Sequence, residues 1–173
     1  MSFVRTRILD LADGLQPGQF SVGAREELSS LEDLEPHYVE LMHKPIPAVV
    51  AVLGGDGRPN LTPMWFGYEG DKVLLNTATH RTKVRWVRAN PRLTFLLVNP
   101  ENSYHWVSIK ATVEREILED DPDEGHLATE TIDRAWTKYS GNEPPYGLRD
   151  PAMDERRVLF ICNVDSVATY GRP

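Results

Sequence analysis

Four cationic side chains follow a strand-like apolar run near the middle of the chain, in the stretch NTATHRTKVRWVRANPRLTFLLV (residues 76–98). They are Arg81, Lys83, Arg85 and Arg88, and a short helix is predicted to begin among them. Cations are unfavourable in the first turn of a helix, because the aligned peptide dipoles place partial positive charge there. The same dipoles and the unpaired backbone N–H groups favour an anion at that position. The stretch therefore indicates an anion site in which Arg81 and Lys83 hold a phosphate.

Two hydroxyl groups and one geometric condition complete this predicted anion site. Thr79 and Thr82 stand beside Arg81 and add hydroxyl donors. Residues two apart inside a helix point roughly 200° apart. Arg81 and Lys83 therefore converge only if Arg81 is still extended and Thr82 lies near the helix cap. The alternative is a solvated patch without a ligand, which costs roughly a few tenths of a kcal/mol per exposed cation.

Composition limits the class of protein. The chain has 173 residues and a net charge of −7, which argues against general nucleic-acid binding. No apolar run is long enough for a membrane span. The single cysteine, Cys162, lies in a strand-like apolar run, so it is predicted to be a buried structural thiol in a reducing, cytoplasmic compartment. The five histidines show no ligand spacing, so no metal site is expected.

The elements that must position the anion site are predicted to be mostly strands. Three of them, AVVAVL, LTPMWFGY and KVLLNTA, are joined by turn-rich segments, and RLTFLLV, WVSIKATVERE and RRVLFICNVDSVATYG add three more. Helices are predicted at SSLEDLEPHYVELMHK, where Pro36 divides the pattern, at about residues 80–90, and at DDPDEGHLATETIDRAWTKY, with a capping box from Asp121 to Glu124. About six strands with short turns favour a closed antiparallel barrel.

Two parts of the chain differ in pattern. Residues 1–33 lack a clean period and are predicted to form an N-terminal arm or extension. Residues 34–173 are predicted to form the barrel domain.

The order of these motifs resembles a known family. The chain is similar to the pyridoxamine 5′-phosphate oxidase-like proteins that bind flavin or deazaflavin. The similarity lies in the order of four motifs: TPMWF, a turn, VLLNTATHRTKVRWVRANPRLTFLLV and an alternating strand. The resemblance covers roughly residues 46–116, and DERRVLFICNVDSVATYG is similar to the family's last strand. It implies a mainly β (α+β) fold, a split antiparallel β-barrel with a few short helices.

The resemblance also implies a cofactor site. Arg81 and Lys83, next to Thr82, would hold the cofactor phosphate, and the ring system would lie along one strand. Trp65 and Phe66 alternate in direction, so one of the two is left to face the ring. A homodimer with sites at the interface is implied, and no catalytic residue is identified. The remaining implied contacts are Thr62, Pro63, Met64 and Trp65 along the ring, Asn76, Thr77 and Ala78 in the same groove, and Tyr104 and Trp106, close to His105, from the second subunit.

The implied activity is that of an oxidoreductase. Reduced F420 or FMN would pass a hydride to a small conjugated acceptor, while the protein supplies orientation and electrostatics. The runs TPMWF and NTATHRTK look more like the F420-using branch, which favours F420 over FMN. The net negative charge is unfavourable for the anionic tail of F420. One alternative is a non-catalytic flavin- or ligand-binding protein on the same barrel, and another is an interaction module without cofactor.

Overall fold

A computed structural model describes residues 2–9, 22–150 and 152–173, and nine strands in one mixed sheet dominate these residues. In the same described residues, three α-helices and one short 3-10 turn, Leu31–Asp33, accompany the sheet. The strands are β1 (Phe3–Ile8), β2 (Val22–Leu28), β3 (Ala48–Leu53), β4 (Pro59–Met64), β5 (Gly67–Glu69), β6 (Lys72–Ala78), β7 (Arg92–Val98), β8 (Trp106–Leu118) and β9 (Arg157–Tyr170). The helices are α1 (Pro36–His43), α2 (Thr82–Ala89) and α3 (Gly125–Ser140).

Strand β9 organises the sheet, because it pairs with three other strands. It lies antiparallel to β8 along its length, its first half pairs antiparallel with β6, and its second half pairs parallel with β1. The sheet therefore divides at β9 into a branch through β6 to β5 and a longer path that runs through β8, β7 and β3 to β4 on one side and through β1 to β2 on the other. The predicted mainly β, split-barrel class is confirmed.

Two finer expectations about the sheet are wrong. Among the described residues the sheet is not closed, since β4 ends one path and β5 ends the branch. It is also not wholly antiparallel, because Val4 to Ile8 pair in parallel with Ser166 to Tyr170. The sequence suggested about six strands; it missed β1 and β2, and its single strand LTPMWFGY is divided in the structure into β4 and the three-residue β5. None of β1, β2 and β5 is long and apolar enough to show a clear period.

The core lies between the strand faces that alternation predicted. Val107, Ile109 and Ala111 of β8 are buried, as are the alternate residues of β7. Complete burial of one such aliphatic side chain contributes about 1.5–3 kcal/mol. Val113 continues the same alternation, but it is only partly buried, and the β8–β9 register shifts between Val113 and Arg115.

The described part of the predicted N-terminal arm continues the sheet. Phe3 lies in the core, and Arg5 is only 4% exposed. The Arg5 guanidinium donates to Glu35 Oε2 at 2.7 Å and to Thr169 Oγ1 at 2.8 Å, so it links β1 to β9 and to the residue before α1. Residues 10–21 of the predicted arm lie outside the described residues, and its division from residues 34–173 as a separate unit stays a prediction.

The helix signals are largely confirmed. Ser30 caps the 3-10 turn, and α1 begins anew at Pro36, as the division at this proline predicted. The capping box at Asp121 is wrong, because the Asp121 carboxylate accepts the N–H of Glu124 in a turn before the helix. At Gly125, where α3 begins, a Cβ would lie only 2.3 Å from the carbonyl oxygen of Glu119. In the described residues no helix has the length and apolar character that a membrane span needs.

Cys162 is fully buried on β9, as predicted, and burial raises the pKa of its thiol to about 12. We expect Cys162→Ala to lower the free energy of unfolding by about 1 kcal/mol through the small cavity. Cys162→Ser places a hydroxyl in the same apolar surroundings and should cost about 1–3 kcal/mol. Urea unfolding measures both values. Cofactor affinity should be unchanged in both variants, and a loss of affinity at unchanged stability would make Cys162 a site residue.

Candidate functional site

A cavity of about 470 Å³ lies between the β4–β5 segment, β6, the start of α2 and α3. Its volume lies within the range of small-molecule sites, about 300–1,000 Å³. Its apolar and aromatic lining consists of Met42, Pro63, Met64, Trp65, Phe66, Gly67, Tyr68, Leu74, Ile132, Ala135, Tyr146 and Leu148. Uncharged polar groups and a histidine are also present, namely His43, Asn76, Thr77 and Thr131.

One end of the cavity contains the two cations that the sequence singled out. Arg81 and Lys83 both line it. Arg81 is extended, with φ −71° and ψ 135°, and α2 begins at Thr82, so the geometric condition for their convergence is met. Among the described residues neither cation forms an ion pair with a carboxylate. Burial, and then the nearby charge of Arg81, lower the pKa of Lys83.

The start of α2 adds backbone donors to this end. No side chain caps the helix, so the N–H groups of its first turn lack the partners that a capping residue supplies. Lys83 Nζ donates to Thr62 Oγ1 at 2.7 Å and contacts Met64 Sδ at 3.1 Å, which holds the ammonium above β4. Arg81 and Lys83, which have no carboxylate partner among the described residues, lie beside the uncapped start of α2. Together they form a donor set that fits a phosphate.

The strand residues predicted to contact the ring divide into two groups. Pro63, Met64 and Trp65 line the cavity, and β4 is an edge strand of the sheet, a position in which a proline is tolerated. Thr62 does not line it but accepts the Lys83 hydrogen bond. Both members of the aromatic pair line the cavity, but Trp65 has a half-buried ring, whereas Phe66 is 2% exposed and packs mainly in the core.

Two of the three predicted groove residues on β6 line the cavity. Thr77 is buried at its wall, and Asn76 reaches it with an amide that is already bonded on both sides. Asn76 Nδ2 donates to the carbonyl of Ala128 at 2.7 Å, and Asn76 Oδ1 accepts from Arg157 Nε at 2.9 Å. Asn76 therefore fixes the wall. Ala78 is fully buried and does not line the cavity.

Besides Thr62 and Ala78, three further predicted contacts do not line this cavity. Thr82 is exposed at the helix start. Tyr104 is 71% exposed, and Trp106 stacks on Tyr170 with ring centroids 5.8 Å apart. Within one chain these two aromatic residues do not meet the cavity, so their contribution from a second subunit stays a prediction.

An aromatic wall that the sequence analysis missed faces the β4 side. Trp65 stacks on Tyr139 with centroids 5.3 Å apart and planes 7° apart, and Tyr146 meets Trp65 edge-on at 6.0 Å. Trp136 packs edge-on against Tyr146 from behind. The backbone N–H of Tyr146 donates to Asp133 Oδ1 at 2.7 Å, which ties the loop after α3 to the helix. The wall is therefore rigid and suited to a planar ligand.

Three further cations were also missed. Arg157 is 6% exposed and ion-paired with Glu155, and Arg134 is paired with Glu69. Lys138 donates to two backbone carbonyls, and burial lowers its pKa to about 8.

The cavity is therefore basic in a protein whose net charge is −7. Among the described residues its charged lining is one carboxylate, Glu32, and five cations, Arg81, Lys83, Arg134, Lys138 and Arg157. Local charge of this kind attracts anionic ligands whatever the sign of the net charge. The described residues contain no group of three or more His, Cys, Asp or Glu side chains arranged to hold a metal ion.

The family model described as pyridoxamine 5′-phosphate oxidase matches residues 34–170, which is most of the chain. The chain belongs to this family. Comparison with curated proteins gave no match. The family fold recurs in the solved structures that are similar to this chain.

An F420 reductase is 22% identical, with a TM-score of 0.61 over 78% of this chain and 98% of its own. HutZ, the haem storage protein from Vibrio cholerae, is 13% identical, with a TM-score of 0.58 over 80% and 96%. A provisionally assigned pyridoxamine 5′-phosphate oxidase from Listeria innocua is 17% identical, with a TM-score of 0.52 over 76% and 93%. At these identities the neighbours show a common fold. Both redox enzymes and a haem protein use it.

Proposed function

We propose that this protein is an oxidoreductase of the pyridoxamine 5′-phosphate oxidase family that binds F420 or FMN in the cavity beside α2. The observation that carries the proposal is the pair Arg81 and Lys83, which line a cavity at a helix start and have no carboxylate partner in the part of the chain that the structure describes. A phosphate at this point would receive two charge-assisted contacts and helical N–H donors. When bound, such a cofactor would supply hydride transfer.

The residues of the chain then have separate tasks. Lys83, held by Thr62 and Met64, and Arg81 bind the phosphate. The wall of Trp65 and Tyr146 orients a planar ring and excludes water from one of its faces. Asn76 and Arg157 fix β6 against β9 behind the cavity. None of these groups needs to act as a nucleophile, in agreement with a reaction whose chemistry is the cofactor's own.

F420 is favoured over FMN. The basic lining of the cavity offsets the unfavourable net charge of the protein, which was the main argument against an anionic deazaflavin. An F420 reductase is among the proteins that share the fold. Cys162, a single buried thiol, is consistent with action in the reducing cytoplasm.

The absorption spectrum of the purified protein, followed by titration with FMN and with F420, tests the proposal. Saturable binding of either cofactor supports it, and binding of neither contradicts it. Steady-state turnover with reduced F420 or FMN against enones, quinones and tetrapyrroles then separates an enzyme from a non-catalytic binding protein. Titration with haemin serves as the comparison ligand, because haem storage also occurs on this fold.

We also propose a homodimer with two sites across its interface. One chain leaves the β4 edge, where Leu61 is 63% exposed, without a covering strand among the described residues. A second subunit would bury such apolar edge surface and complete the groove. Light scattering should give about twice 19.6 kDa at micromolar concentration, and a mass near 19.6 kDa would contradict the dimer.

A further inference from the structure

The ammonium of Lys138 is the charged group of the cavity that the proposed phosphate contact does not explain. It lies in the last turn of α3, and its Nζ donates to the carbonyl oxygens of Met42 at 2.8 Å and Phe66 at 3.2 Å. An ammonium has three N–H donors, so two neutral carbonyls leave one donor available. Among the described residues no carboxylate pairs with it, although a desolvated charge normally requires one.

The other charged and titratable groups of the cavity do not replace that missing partner. Arg134 and Arg157 are cations with their own carboxylates, and Tyr68 is hydrogen-bonded to His43. Glu32 is an exposed residue that forms no ion pair with Lys138. Among the described residues, the charged and titratable groups that line the cavity with Lys138 are Glu32, His43, Tyr68, Arg81, Lys83, Arg134, Tyr146 and Arg157, and Tyr139 lies beside it on α3.

Lys83 and Lys138 contact opposite ends of one short segment. Lys83 is held by Thr62 and Met64, whereas Lys138 is held by the carbonyl of Phe66. At about 3.3 Å per extended residue, these anchor points lie roughly 7–13 Å apart along the chain. Trp65 stands between them with its ring at the cavity wall. The cavity therefore has a cation at each end of an aromatic surface.

We propose that Lys138 is a second recognition point of this cavity, which binds the carbonyl or oxyanion oxygen of a planar ligand ring whose phosphate is held by Arg81 and Lys83. The inference rests on the proposed function and extends it to the ring end of the ligand. The two backbone carbonyls hold the ammonium in place before the ligand arrives, so little side-chain freedom is lost on binding.

The charge of Lys138 gives this recognition point a pH dependence. Burial lowers the pKa of Lys138 to about 8, so in the free protein the ammonium is present below that pH and lost above it. A bound oxyanion favours the charged form and raises the pKa of Lys138. Affinity for the ring should therefore be constant below about pH 8 and decrease as the pH rises further.

Two matched pairs of probes test the proposal: FMN with riboflavin, and F420 with its phosphate-free deazaflavin chromophore. In whichever pair of probes binds, Lys138→Met should lower the affinity for both members by the same factor, about ten- to a hundredfold. Lys83→Met should weaken only the phosphate-bearing member. Between pH 7 and 9 the affinity for the phosphate-free member should fall in the wild type and stay flat in Lys138→Met. Lys138→Arg should restore the affinity and remove its pH dependence, because arginine stays charged.

Lys110→Met, an exposed change on β8, is the control, and equal melting temperatures show that the variants are folded. If Lys138→Met binds every probe as well as Lys110→Met does, the proposed role of Lys138 is wrong. A preference for FMN or F420 over the phosphate-free partner that depends on Lys83 would still support the phosphate site. A planar aromatic anion, 1-anilinonaphthalene-8-sulfonate, separates the two proposals further. If the protein binds neither cofactor but binds this anion in a Lys138-dependent way, the Lys138 subsite is supported and the proposed cofactor is wrong. If it binds none of the probes, both proposals are wrong.

Discussion

Lys83→Ala and Arg81→Ala should each weaken binding of F420 or FMN by about ten- to a hundredfold. Each change removes a charge-assisted contact to the phosphate, worth about 1.5–3 kcal/mol. The fold should stay intact, because removal of a cation from the start of a helix is neutral or slightly stabilising. The expectation that stability is unchanged or slightly higher is stronger for Lys83, since burial disfavours its charged form and lowers its pKa. Cofactor titration and the melting temperature of the cofactor-free protein measure the two effects.

Two cations on the same helix provide the controls. Arg85 is exposed and does not line the cavity, so Arg85→Ala should leave affinity unchanged. Arg88 is ion-paired with Glu116 through Nε at 3.0 Å, so Arg88→Ala should cost a little stability but no affinity. Equal losses of cofactor affinity in all four variants would indicate attraction by the overall positive potential of this region, without specific contacts from Arg81 and Lys83 to the phosphate. No loss in any of them would leave the start of α2 a solvated patch.

Arg157→Met should lower the free energy of unfolding by about 3–5 kcal/mol. The Arg157 and Glu155 side chains are 7% and 8% exposed, and Arg157 also donates to Asn76. Removal of the guanidinium leaves the Glu155 carboxylate buried without its partner, which costs more than the ion pair itself contributes. Urea unfolding followed by tryptophan fluorescence measures the change.

The neighbouring residue supplies a matched comparison for Arg157. Arg156 is paired with Asp120, but these side chains are 56% and 53% exposed, so Arg156→Met should cost less than about 1 kcal/mol. Addition of Glu155→Gln to Arg157→Met should recover part of the lost stability, because it removes the uncompensated charge. If Arg157→Met is no more harmful than Arg156→Met, the buried pair does not stabilise the fold.

The convergence of Arg81 and Lys83 on one cavity was predictable because its determinants are local. A strand end, an extended Arg81 and the start of α2 follow one another within a few residues, so side-chain directions can be worked out from the backbone period. Burial alternation on β8 was predictable for the same reason. On β6, by contrast, both faces are covered, and its burial pattern does not show which residues face the cavity. Ala78 was assigned to the groove for lack of that information.

The other wall of the cavity depends on contacts between distant parts of the chain. Tyr146 and Lys138 reach the cavity only because α3 packs across β6 and the following loop is tied back to Asp133. A lysine near a helix C-terminus is ordinarily solvated and favourable there, so its sequence position indicated nothing unusual. The closed barrel was expected because strand number alone does not reveal that β9 shares its length between β6 and β1.

The three-way pairing of β9 also sets an order of events during synthesis. Its partners β1, β6 and β8 all precede it in the chain, and the pairing of Val4 with Ser166 spans almost the whole sequence. While residues 157–170 are still within the ribosome, these three strands are without the neighbour that joins them. Contacts of such long sequence separation slow folding and leave strand edges open in the meantime. Until the longest of the described strands emerges, the edges of β1, β6 and β8 that it covers stay open to pairing with other chains.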